Sequence, residues 1–142
     1  MLELTIGQLA KEGGVRTDTI RYYEQLSLIK PEGRSKSGYR LYGQESIRVI
    51  QFIRRAKDLG FTLGEIKILL TLKASQTATC RDMLERTDNK LAEAKENIRH
   101  LNKIHSALEK LAEECPGGDM PLSKCPILDY LYPQEKKKGE KR

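Results

Sequence analysis

Hydrophobic positions come in short bursts at helical spacing, separated by breaks rich in glycine and proline. Ile6, Leu9 and Ala10 share one helical face and the burst stops at Gly13 and Gly14, which predicts a short helix over 5–11. Thr17 then reads as the cap of a second helix through RTDTIRYYEQL, with Ile20, Tyr23 and Leu26 facing inward. Two short helices across a glycine turn predict a helix-turn-helix. Pro31, Gly33, Ser35, Ser37 and Gly38 break the period, and the alternation Tyr39, Arg40, Leu41, Tyr42 predicts a small β-wing. From Gln44 to Leu59 the set Ile47, Ile50, Phe52, Ile53 and Ala56 marks an amphipathic helix stopped by Gly60. Thr62 caps a fourth helix that buries Leu63, Ile66, Leu69 and Leu70.

Past this point the pattern changes. Ala74 to Thr79 is a small polar linker, and 81–114 then runs without proline or glycine. Within it Leu84, Thr87, Leu91, Ala94, Ile98, Leu101, His105 and Leu108 alternate at spacings of three and four, the seam of a two-stranded coiled coil. A helix of ~34 residues spans about 50 Å at 1.5 Å per residue and cannot bury such a seam alone, so a second chain is implied. The expected fold is dominated by α-helix. It comprises a winged helix-turn-helix unit over 1–73, a linker over 74–80, a long antiparallel coiled-coil dimerisation helix over 81–114, a loop with a short terminal helix over 115–132, and a basic disordered tail over 133–142.

Charge adds direction to this outline. The formal net charge of +6 is uneven: residues 1–73 hold thirteen Lys and Arg against eight Asp and Glu, and residues 74–133 hold eight against ten. A basic excess in a folded front unit suits a polyanion such as double-stranded DNA. On the second helix Arg16, Thr17, Arg21 and Tyr22 form a polar side able to reach groove edges or phosphates, while Tyr23 belongs to the core. Arg34, Lys36, Tyr39 and Arg40 give the wing cations and an aromatic ring suited to backbone contact. MLELTIGQLAKEGG has no positive start followed by an apolar run, and IKILLTL is short and interrupted by Lys67. A cytoplasmic protein with no membrane span is the expectation.

A reducing compartment leaves the three cysteines as free thiols. Cys80 precedes the long helix and Cys115 follows it, so one straight helix holds them too far apart to share an ion. An antiparallel pair of chains removes the difficulty, because Cys80 of one then meets Cys115 and Cys125 of the other in two equivalent sites. Three thiolates suit a soft cation, and a trigonal site suits Hg(II) or Pb(II), with Cd(II) as a further candidate. Zn(II) wants a fourth ligand, which Asp119 or water could supply. Met120 suits copper better, and His100 and His105 lie within helix sequence at least ten residues, about 15 Å, from Cys115. A thiol redox switch or an iron–sulfur cluster fits less well, since clusters want four grouped cysteines. No nucleophile, base and oxyanion set is visible, so an enzyme is not expected.

TIGQLAKEGGVRTDTIRYYEQLSLI, GYRLY and RRAKDLGFTLGEIKILL resemble the MerR family of bacterial transcription regulators across residues 4–132. TCRDMLERT, and EECPGGDMPLSKCPILDYL around the two later cysteines, are similar to its mercury-responsive branch and next to its lead, cadmium and zinc relatives. The copper and gold branch has no cysteine at the place of Cys80, and zinc-type members carry a further cysteine and a loop histidine where this chain has Pro116 and Met120. The resemblance implies DNA contact by Arg21 and Tyr22, a backbone grip by Arg34, Tyr39 and Arg40, and trigonal metal binding by Cys80 of one protomer with Cys115 and Cys125 of its partner. It further implies a homodimer that holds an overlong promoter spacer as a repressor. On binding metal it bends and untwists the DNA so that RNA polymerase can open it and transcribe a heavy-metal resistance operon.

Overall fold

A computed structural model describes residues 3–133; the basic tail from 134 onward lies outside the described residues. Six α-helices, one 3₁₀ turn and a two-stranded sheet make up this span. Helix α1 (Ile6–Gly13) opens on a capping box: Gln8 N–H donates to Thr5 Oγ1 and Thr5 N–H donates to Gln8 Oε1. It closes at Gly14, whose φ of 67° lets Val15 N–H reach back to the Ala10 carbonyl at 3.0 Å. Arg54 Nη1 donates to the Gly13 carbonyl at 2.8 Å, which ties the turn to helix α3 (Gln44–Asp58).

Helix α2 (Thr17–Gln25) starts one residue earlier than a Thr17 cap requires. Arg16 is the extended N-cap residue, with no side-chain cap bond, and Thr17 is the first helical residue. After the Gly14 closure Val15 packs against the core and Arg16 is extended, and the helix begins directly after it. Ile20 and Tyr23 are buried as expected and Leu26 packs partly against the core.

The wing is a hairpin of β1 (Gly33–Arg34) and β2 (Arg40–Leu41), antiparallel with Gly33 opposite Leu41 and Arg34 opposite Arg40. The chain just beyond β2 also pairs with the N-terminal segment, Leu4 and Tyr42 exchanging both backbone hydrogen bonds at 2.8 Å. That bridge turns the Tyr42 ring into the core, where it is 1% exposed. Leu9, Ile20, Tyr42, Ile47, Ile50, Ile53 and Ile66 form the centre of one apolar cluster shared by α1 to α4 and the wing base.

Helix α4 (Leu63–Ala74) repeats the capping box with Thr62 and Glu65. Helix α5 runs unbroken from Cys80 to Glu114, so Cys80 is its first residue and not the last of a linker. Asp82 causes this by accepting from Thr79 N–H at 2.8 Å, which satisfies an amide ahead of the first turn. The front compact unit extends to Lys90, beyond the boundary near 73 drawn from the sequence. Lys90 is buried, its Nζ 2.9 Å from Glu65 Oε1 and above the Phe61 ring at 5.4 Å. The second unit carries the rest of α5, then the 3₁₀ turn Leu122–Lys124 and helix α6 (Pro126–Leu131). Among the described residues no helix is long and apolar enough to cross a membrane.

Candidate functional site

The front unit places a cationic groove beside the wing. A concavity of about 530 Å³ lies among Arg21 of α2, Arg34, Tyr39 and Arg40 of the wing, and Thr5, Ile6 and Gly7 at the start of α1. Four of the eight residues singled out for nucleic-acid contact therefore meet at one surface. Arg16, Thr17, Tyr22 and Lys36 do not line that groove, although Arg16, Tyr22 and Lys36 are solvent exposed. The contribution of 5–7 has no periodic signature, since it arises from the Leu4–Tyr42 bridge that draws the start of α1 against the wing.

Local bonds hold these cations in place. Asp18 sits between two arginines, 3.1 Å from Arg16 Nη2 and 3.5 Å from Arg21 Nη1. Both pairs are open to solvent, so they orient the side chains more than they stabilise the fold. In the wing Arg34 Nη1 donates to the Gly38 carbonyl at 2.9 Å, and Gly38 takes a φ of 87° to make the turn. Tyr39 projects from that turn and is 71% exposed.

Arg40 is held from the other side. Its Nη1 lies 3.2 Å from Glu24 Oε2, and the Tyr42 hydroxyl donates to Glu24 Oε1. Glu24 was not among the residues selected from sequence. Its signal is a carboxylate four residues after Ile20, on the inward stripe of α2, where a charge survives only with partners.

The three cysteines are free, Cys80 exposed and Cys115 and Cys125 half-buried. Cys80 opens α5, Cys115 directly follows its last residue, and Cys125 is the N-cap of α6 with its sulfur accepting from Leu128 N–H at 3.5 Å. Among the described residues of a single chain, no three His, Cys, Asp or Glu side chains gather as a metal cage requires. His105 pairs with Glu109 at 2.9 Å along α5.

The family pattern for the MerR HTH family regulatory protein matches residues 4–73, and the pattern described as MerR, DNA binding matches 47–111. The chain is 40% identical over 130 residues to a mercuric resistance operon regulatory protein of Bacillus cereus, covering 92% of this chain and 98% of the relative. It is 37% identical over 128 residues to heavy metal-dependent transcription regulator 2 of Rhizobium meliloti, covering 90% and 86%. Among solved structures it is similar to the transcription regulator PbrR691 from Ralstonia metallidurans CH34 in complex with lead(II). That match has a TM-score of 0.78 and 28% identity, over 90% of this chain and 98% of the other. With a winged helix-turn-helix, a cationic groove at the wing and these matches together, the chain belongs to the MerR family of helix-turn-helix regulatory proteins and is a DNA-binding transcription regulator, not an enzyme.

Proposed function

We propose that the protein is a heavy-metal-responsive regulator that binds promoter DNA as a homodimer and takes Hg(II) into a site made by Cys80 of one protomer with Cys115 and Cys125 of its partner. The observation that carries this is the placement of three free thiols at the start of α5, at its end and at the cap of α6. Three sulfurs with no histidine beside them form a soft donor set, which favours a thiophilic cation over one that prefers nitrogen or oxygen. The mercuric-resistance relative supports mercury, and the lead-bound relative supports Pb(II) as the alternative within the same mechanism.

When bound, the metal supplies a covalent-like link between thiolates of two chains. The protein's own part is to carry that link to the DNA-binding unit. Cys80 is the first residue of α5, and ten residues on, Lys90 joins the same helix to Glu65 and Phe61 at the start of α4. A displacement of Cys80 is therefore passed into the helices that position Arg21 and the wing. Arg21, Arg34, Tyr39 and Arg40 hold the duplex, joined by Arg16, Thr17, Tyr22 and Lys36 where it extends past the groove. RNA polymerase then engages the distorted promoter.

Titration of reduced protein with Hg(II), Pb(II), Cd(II) and Zn(II) should give one ion per protomer, a thiolate charge-transfer band, and promoter unwinding most strongly with Hg(II). Inter-chain sharing is tested by complementation. Cys80→Ser and Cys115→Ser/Cys125→Ser homodimers should each be unresponsive, while the mixed dimer regains one working site. A Cys80→Ser homodimer that responds like wild type defeats the shared site.

A further inference from the structure

We propose that Glu24 is a positioning residue for DNA recognition: it holds the Arg40 guanidinium at a set distance from Arg21, so that wing and recognition helix engage the duplex as one rigid surface. This rests on the assignment of Arg40 as a DNA contact.

The two carboxylate oxygens of Glu24 have different partners in different elements. Oε1 accepts from the hydroxyl of Tyr42, a residue buried in the core and locked to Leu4 by two backbone bonds. Oε2 faces Arg40 Nη1 at 3.2 Å. The Glu24 side chain is 12% exposed, whereas that of Arg40 is 50% exposed. One end of the chain of contacts is therefore anchored in the core and the other reaches solvent at the groove. A long cation on a two-residue strand otherwise explores many rotamers, and ordering it on DNA costs affinity. Glu24 removes that cost before binding. Its charge also lies beside the groove, where long-range electrostatics alone would make it unfavourable for a polyanion.

These two effects have opposite signs, which makes the role testable. Glu24→Gln retains one acceptor oxygen for the buried Tyr42 hydroxyl and none for Arg40, and it removes one negative charge per protomer. If Glu24 acts only through its charge, the variant binds all DNA more tightly. If it positions Arg40, binding to the cognate duplex falls about tenfold, and the slope of log affinity against log salt becomes shallower by about one for each phosphate that Arg40 no longer neutralises. Binding to a random duplex would stay level or rise. The probes are the tightest duplex selected by the wild-type dimer from a randomised pool, and a random duplex of equal length.

Arg40→Ala and the double variant complete the cycle. In the Arg40→Ala background, Glu24→Gln should cost almost nothing. An equal loss in both backgrounds means that Glu24 serves the fold alone, and a gain or no change in cognate affinity means that it screens or is idle; each overturns the proposal. If Arg40→Ala leaves affinity and salt slope intact, the DNA role of Arg40 falls and this inference falls with it. If Arg40→Ala weakens binding and Glu24→Gln does not, the inference alone fails.

Discussion

At the scale of single residues, Glu65 serves two elements with one side chain. Its Oε1 accepts the Thr62 N–H at 2.9 Å as half of the α4 capping box, and it also meets Lys90 Nζ at 2.9 Å. These bonds, the Thr62 amide first and Lys90 second, lower its pKa from 4.5 to about 2. A carboxylate whose pKa is lower in the folded state stabilises the fold fully above its unfolded value and loses that contribution as the pH drops to the folded one. The window here runs from about pH 4.5 down to about 2. Glu65→Gln should therefore lower stability most at neutral pH, with the gap to wild type narrowing across that window. Urea unfolding at pH 7, 4 and 3 measures it, and a pH-independent gap would show that the charge on Glu65 is irrelevant. The Thr62 cap was legible in the sequence, but Lys90 was not, since it lies 25 positions away and off the apolar seam that the sequence marks on its helix.

At the scale of elements, the helix ends decide how the reading parts are presented. Gly14 takes a left-handed φ of 67°, and a Cβ there would come within 2.6 Å of Arg54 Nη1. Gly14→Ala should destabilise the front unit by about 1–2 kcal/mol through its backbone conformation alone. Gly64, in the first turn of α4, has no such conformation and only ordinary contact around it, so Gly64→Ala should stabilise by about 0.5 kcal/mol. Thermal unfolding of the two variants should shift in opposite directions, and a shared sign would refute the assignment of the turn. Such ends are what the amino-acid pattern reveals best: Gly13–Gly14, Gly60 and Thr62 delimit helices where they were expected. Starts set by backbone alone are harder, as at Arg16, which caps α2 with no side-chain bond. Burial of Tyr42 was hidden for a related reason. Its neighbours alternate as a strand should, but which face points inward depends on Leu4, a partner 38 positions earlier. The same long-range pairing brings 5–7 to the groove, so local pattern names its arginines and misses its wall.

At the scale of the whole molecule, α5 poses the largest unsolved burial. Leu84, Leu91, Ile98, Leu101 and Leu108 are each more than half exposed in the single chain, and all fall on the seam read from the sequence. Scattered exposed leucines are ordinary; a stripe repeated at heptad spacing along 35 residues needs a partner. In the proposed antiparallel dimer each seam position occurs twice, so a single substitution removes two buried side chains. Burying one leucine contributes about 1.5–3 kcal/mol, and Leu101→Asp adds a carboxylate to the seam on both strands. The dimer dissociation constant should rise at least about a hundredfold, which corresponds to ~2.7 kcal/mol. Lys103→Gln, two positions on and facing away from the seam, should leave the dimer intact while changing the charge by the same single unit. Sedimentation across a dilution series measures both, and the unfolding temperature of wild type should depend on protein concentration as association requires. A Leu101→Asp protein that remains dimeric would place the interface elsewhere. If the proposed shared site holds, loss of the dimer carries a second consequence, because Cys80 opens α5, Cys115 follows its end, and the site as proposed draws its remaining thiols from the partner chain. The monomer should then lose the one-to-one metal stoichiometry together with cooperative DNA binding, so a single change in the seam tests whether sensing and association are the same event.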